Sequence, residues 1–145
     1  MDEEFQVLSS KVVKYLADAT IVSRLSHWNC RGKDFYSAHL LFERIYNDLD
    51  DLKDGLIETL RACNFNPKFS MFSGPNIEMI DYDVQTLVEL NTDFLMALNG
   101  VIALFYKFAE GNSHDPRLIG VSNHLQGMAE VVLNDLYLLQ AWAGY

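Results

Sequence analysis

The chain has 145 residues and a mass of 16.6 kDa, with half of its residues hydrophobic and 21% charged. That is the composition of one soluble globular domain, and it excludes a disordered tail or a collagen-like fibre. The 11 basic residues against 20 acidic ones leave a net charge of −9, which disfavours a nucleic-acid binder working by phosphate neutralisation and favours cationic partners, metal ions among them.

The opening Met1-Asp2-Glu3-Glu4 is acidic where a secretory signal is basic and then apolar. The two cysteines, Cys30 and Cys63, form no CxxC motif, so a reducing cytoplasm is the expected home. The longest dense apolar run, Ala97 to Tyr106, falls well short of the roughly 20 residues that a bilayer span needs, and no membrane span is expected.

In chain order, Phe5, Leu8, Val12, Tyr15, Ala19 and Val22 recur in steps of three and four and predict an amphipathic helix over 3–30. Gly32 breaks it. Asp34 is placed to cap a second helix over 35–62, whose stripe is Ala38, Phe42, Ile45, Leu49, Leu52 and Leu56. Pro67 and Pro75 mark Asn64 to Pro75 as the one long loop. Asp83 caps a third helix running to Glu110 and closed by Gly111 and Asn112. Its segment Phe94 to Phe108 is apolar around most of its circumference, which suggests burial on more than one side and subunit contact. Asp115-Pro116 starts a fourth helix that continues to Trp142. With no two-residue alternation and no internal repeat, residues 1–145 read as a single all-α domain. It is a four-helix bundle whose first two helices are antiparallel and whose long second connection crosses the bundle's length.

The second helix also carries His39, Glu43, Asp54 and Glu58. At about 100° per residue they share roughly a 100° arc, turned some 160° away from the apolar stripe. A solvated acidic face is the ordinary explanation of such an arc, but an imidazole one turn from a carboxylate makes a half-site for a transition metal. Asp54 with Glu58 makes another. The pairs stand about 16 Å apart along the axis, too far to hold one ion within a chain. The midpoint of Glu43 and Asp54 is 48.5, as is that of His39 and Glu58. An antiparallel partner about a two-fold axis near Asp48 and Leu49 would therefore face each half-site with the other.

His27, Trp28, Gly32, His39 and Glu43 stand in a pattern that closely resembles the first signature of the Dps family of miniferritins: His, an aromatic, a glycine five positions on, a second His at twelve and an acid at sixteen. Asp54 and Glu58 occupy the acidic positions of the family's second signature. Leu136 to Trp142 and Ala109-Glu110-Gly111 are similar to the family's last helix and its third turn.

The resemblance implies a ferritin-like bundle with an intersubunit ferroxidase centre. His27, His39 and Glu43 would come from one subunit, Asp54 and Glu58 from its two-fold partner. It implies Fe(II) as substrate, hydrogen peroxide as the preferred oxidant over oxygen, and a ferric mineral stored in a hollow dodecamer. It also implies Trp28 as an aromatic close to the iron, besides its plain reading as a bundle wall. Glu110 and Asp115 would line an acidic three-fold pore, against their plain reading as capping residues.

Imidazoles and carboxylates with open positions suit Fe(II), and a cysteine-free set disfavours structural zinc. The larger ferritins place Glu-x-x-His within a chain, whereas here no histidine has a glutamate three residues before it. Cys30, Ala38, Gly55 and Thr59 depart from the family's usual residues without removing a ligand. Cys30 reads as core filler, and His114 and His124 as surface or hydrogen-bonded histidines. The rival reading is a non-catalytic structural bundle. Direct DNA binding is disfavoured by the charge.

Overall fold

The computed structural model describes residues 2–66 and 83–144, which form four helices: α1 (Asp2–Asn29), α2 (Phe35–Ala62), α3 (Val84–Gly111) and α4 (Arg117–Ala143). All four lie within two residues of their expected bounds. Of the long loop, Pro67 to Pro75 falls outside the described residues.

Each helix begins or ends for a local reason. Gly32 takes φ of +109° in the turn after α1, a conformation that an L side chain rarely adopts. Asp83 accepts from the Gln85 N–H at 2.8 Å and from the Thr86 hydroxyl at 2.6 Å, as a capping side chain should. The Thr86 hydroxyl and then the Gln85 N–H hold its carboxyl below the usual range. The Asp115 carboxylate accepts from the Arg117 N–H at 3.0 Å and pairs with the Arg117 guanidinium at 2.7 Å. Asp34 departs from expectation, because its side chain makes no capping bond. Its carbonyl alone accepts, from the Ala38 N–H and the Ser37 hydroxyl, each at 3.1 Å.

α1 packs on α2 and α3, and α4 on α3 and α2, so the diagonal pairs are α1 with α4 and α2 with α3. Phe5 meets Phe105 with 5.2 Å between ring centroids, and Ser23 meets Asn91 at 2.7 Å, so α1 and α3 are antiparallel. α1 and α2 are antiparallel too, so α2 and α3 run the same way. Their connection must leave one end of the bundle and arrive at the other: the Phe65 ring lies 4.0 Å from that of Phe5, while the backbone of Asp83 bridges that of Arg31 at the far end.

The core follows the expected stripes, with Phe5, Val12, Ala19, Phe42, Ile45, Leu49 and Leu56 buried. Leu8, Tyr15 and Leu52 of those stripes are half-buried and pack against its edge. α3 is more apolar than the run Ala97 to Tyr106 indicated. By length and composition alone it could cross a membrane, with a mean hydropathy of 1.4. The bundle takes up part of that apolarity, with Val88, Leu95, Leu98, Ile102 and Phe105 buried between helices. Buried Asn91 donates to the Ser26 hydroxyl at 2.8 Å and to its own helix at Leu87, and accepts from Ser23. All of its hydrogen-bonding groups are thereby engaged.

Gly55, costly inside a helix by about 1 kcal/mol relative to alanine, has a spatial reason. A Cβ there would stand 2.7 Å from Cε1 of His124, whose Nε2 lies 3.5 Å from the Leu52 carbonyl. Gly55→Ala should therefore fail to stabilise the chain on its own. In the His124→Ala background it should gain about 1 kcal/mol, the propensity difference. Urea unfolding of the four-member cycle measures this coupling, and additive effects would contradict it.

Candidate metal centre

The turn over residues 30–34 sets the end of α1 beside the start of α2, which brings His27 against His39. Their rings stack with centroids 3.7 Å apart and an 18° interplanar angle. Nδ1 of His27 lies 2.8 Å from the His39 carbonyl oxygen, and Nδ1 of His39 lies 2.7 Å from that of His27. A carbonyl only accepts, so each Nδ1 must carry the hydrogen and donate it. With Nδ1 so engaged, Nε2 is the ring nitrogen that each imidazole can offer to a metal.

Further rings and charges brace this pair. Phe35 also stacks with His39 at 4.8 Å, and Tyr46 meets His27 edge-on at 5.3 Å. The Arg24 guanidinium sits 4.2 Å over the Tyr46 ring and reaches Asp50 at 2.7 Å, while Lys53 reaches Asp50 at 3.3 Å. Burial pulls the Asp50 carboxyl up, but the Arg24 and Lys53 hydrogen bonds and charges outweigh it and hold the group below its ordinary value. Asp50 shares the ligand arc, yet it is occupied by these two cations. Tyr46, Arg24 and Lys53 went unread in the sequence. An arginine at 24 and an acid at 50 carry no mark of adjacency until the helices are paired.

Glu43 is half-buried one turn beyond His39, and Asp54 and Glu58 are exposed on the distal half of α2. Among the described residues, no three of His, Cys, Asp and Glu converge within one chain where they could hold a metal ion. The structure thus brings His27 and His39 together and leaves Asp54 and Glu58 apart from them. Thr59 donates to the Gly55 carbonyl at 2.8 Å rather than toward any ligand.

The remaining candidates are resolved individually. Trp28 is 64% exposed and forms no wall of its own bundle. Cys30 is buried, with Sγ 3.6 Å from the His27 carbonyl, and burial pushes its thiol up, as it does for Cys63. Both stay free thiols, in keeping with a filler role. His124 is hydrogen-bonded and His114 exposed. Asp115 is engaged by Arg117, whose hydrogen bonds keep its carboxyl low, and Glu110 is exposed.

No protein-family model matches the chain. A stretch of 45 residues is 42% identical to general stress protein 20U of Bacillus subtilis (strain 168), and it amounts to 31% of this chain and 31% of that protein. Among solved structures, Dps from Thermosynechococcus elongatus superposes with a TM-score of 0.86 at 14% identity, over 99% of this chain and 92% of its own. Dps from Staphylococcus aureus gives 0.82 at 18%, over 99% and 97%. The Dps protein of Vibrio cholerae O1, described as a member of a broad superfamily of ferritin-like diiron-carboxylate proteins, gives 0.83 at 19%, over 97% and 89%. The fold of this chain is therefore the ferritin-like bundle of Dps proteins.

The reciprocal carbonyl contacts make a spectroscopic prediction. Long-range proton–nitrogen correlation spectra should show a hydrogen on Nδ1 of both His27 and His39. A ring in the Nε2–H tautomer, with Nδ1 bare, would contradict the assignment.

Proposed function

We propose that this chain is a Dps-like miniferritin that oxidises Fe(II) at sites shared between two-fold-related subunits and stores the ferric product in a hollow shell. The observation that carries this reading is the pair of imidazoles, each spending Nδ1 on the other's backbone and keeping Nε2 for a ligand. Glu43 lies one turn away on the same face. The partner's half-site would be Asp54 and Glu58, whose exposure leaves them open to a second subunit. The fold shared with Dps proteins supports the reading.

Within this proposal the roles divide by chemistry. His27 and His39 would offer Nε2 as nitrogen donors on rings that stack on one another. Glu43, Asp54 and Glu58 offer anionic oxygens that balance the charge of ferrous iron and favour the more highly charged ferric product. Iron is substrate, and an oxidant takes the electron, hydrogen peroxide ahead of oxygen by the family resemblance. Assembly into a dodecamer of two-fold dimers would draw on apolar side chains that the single chain leaves exposed, Met96, Leu104, Leu133 and Tyr137 among them.

Co-assembly tests the shared site. Chains carrying His39→Ala with Glu43→Ala, and chains carrying Asp54→Ala with Glu58→Ala, should each form the same oligomer as wild type in sedimentation. Each alone should consume Fe(II) near the uncatalysed rate. Mixed before assembly, they should recover a fraction of wild-type activity, because some interfaces regain one intact site. No recovery above either parent would refute shared sites, and the non-catalytic bundle would then be the better reading.

DNA should be bound weakly or not at all, since each chain carries a net charge of −9 and phosphate neutralisation drives such binding. In a gel shift at moderate salt and neutral pH, without added metal, the DNA should run free. Retention would overturn this.

A further inference from the structure

We propose that Asp48 of α2 and Asp135 of α4 hold a single proton between them and act as a proton-dependent clasp joining these two helices. Asp135 belongs to the buried stripe of α4, between Val132 and Leu139, and its side chain is 0% exposed. Neither of its carboxylate oxygens has a hydrogen-bond partner. The group facing it within hydrogen-bonding reach is a second carboxyl, Asp48 of the adjoining helix. Two carboxylates contain no donor, so no hydrogen bond exists while both are ionised. Protonating one supplies the donor and removes the like-charge repulsion in one step.

A proton fits this place better than a cation. Only two carboxyls meet, and no third His, Cys, Asp or Glu joins them among the described residues, fewer oxygen ligands than a hard cation takes. Arg44, also of α2, is the charged group that opposes protonation. Burial, and after it the neighbouring Asp48, pushes the Asp135 carboxyl up to about 8 despite Arg44.

The sign follows from linkage. A free aspartate in the unfolded chain titrates near 3.9, so between that value and about 8 the folded chain holds a proton that the unfolded chain has lost. The clasp's contribution is complete below the lower value, falls as pH rises toward the upper one, and is spent above it.

The test is urea unfolding of the metal-free protein at one concentration from pH 5 to 9, comparing wild type with Asp135→Asn, whose amide donates to Asp48 at every pH. The variant's folding equilibrium constant relative to wild type should rise with pH, by up to tenfold per unit, and level off above about pH 8. A ratio flat across the range would overturn the proposal. So would a rise in wild-type stability with millimolar Mn(II) or Mg(II) that the variant lacks, since the pair would then be a cation site. Should the variant not fold, the infrared spectrum of wild type decides. A protonated carboxylic acid carbonyl band persisting at pH 6.5 supports the clasp, and its absence removes it.

Discussion

α2 serves the core, two neighbouring helices and an outer surface at once, and the step of about 100° per residue is what allows one helix to do so. Ala38, Phe42, Ile45 and Leu49 face the core. His39, Tyr46 and Asp50 touch α1 through His27 and Arg24. Asp48, Gly55 and the Leu52 carbonyl meet α4. The remaining arc holds Glu43, Asp54 and Glu58. The same regular rise that sorts these faces also separates the two ligand pairs by about 16 Å, so a rigid helix cannot fold them onto one ion. The shared site proposed above would follow from helix stiffness before family likeness.

Much of this was legible because helical periodicity and capping are local. Apolar spacing located the four helices, and Asp83 and Asp115 marked two starts through their side-chain chemistry. Asp34 shows the limit of that reasoning. The residue type and position were right, but its side chain makes no cap bond, because a favourable residue type does not fix its rotamer. Gly55 read as a plain cost, since its benefit depends on His124, a residue 69 positions further along that α4 sets beside it.

The candidate site divides in the same way. His27, His39 and Glu43 were readable as a motif, yet nothing in the spacing announced that each imidazole donates to the other's carbonyl. That contact depends on the path of the turn, which Gly32 permits with its φ of +109°. Asp135 did leave a signal, a carboxylate standing at an apolar stripe position of α4. Its meaning depended on which residue of α2 stood opposite, and this is long-range information.

Asn91 and Asp135 are two answers to burying a polar side chain. Asn91 brings both donors and an acceptor, and Ser23, Ser26 and the Leu87 carbonyl use them all, so its burial costs little and a slip of α3 along α1 would strand several groups at about 1–3 kcal/mol each. Asp135 meets a like group and cannot be satisfied while ionised. Ionisation in an apolar setting costs far more than protonation, so the proton is retained. On its α1 flank α2 is held by the imidazole pair and the Arg24–Asp50 bridge, and on its α4 flank by His124 over Gly55 and the Asp48–Asp135 pair. Turning α2 by a single residue would break both flanks together. The outward bearing of Glu43, Asp54 and Glu58 is therefore set by contacts in which none of those three takes part.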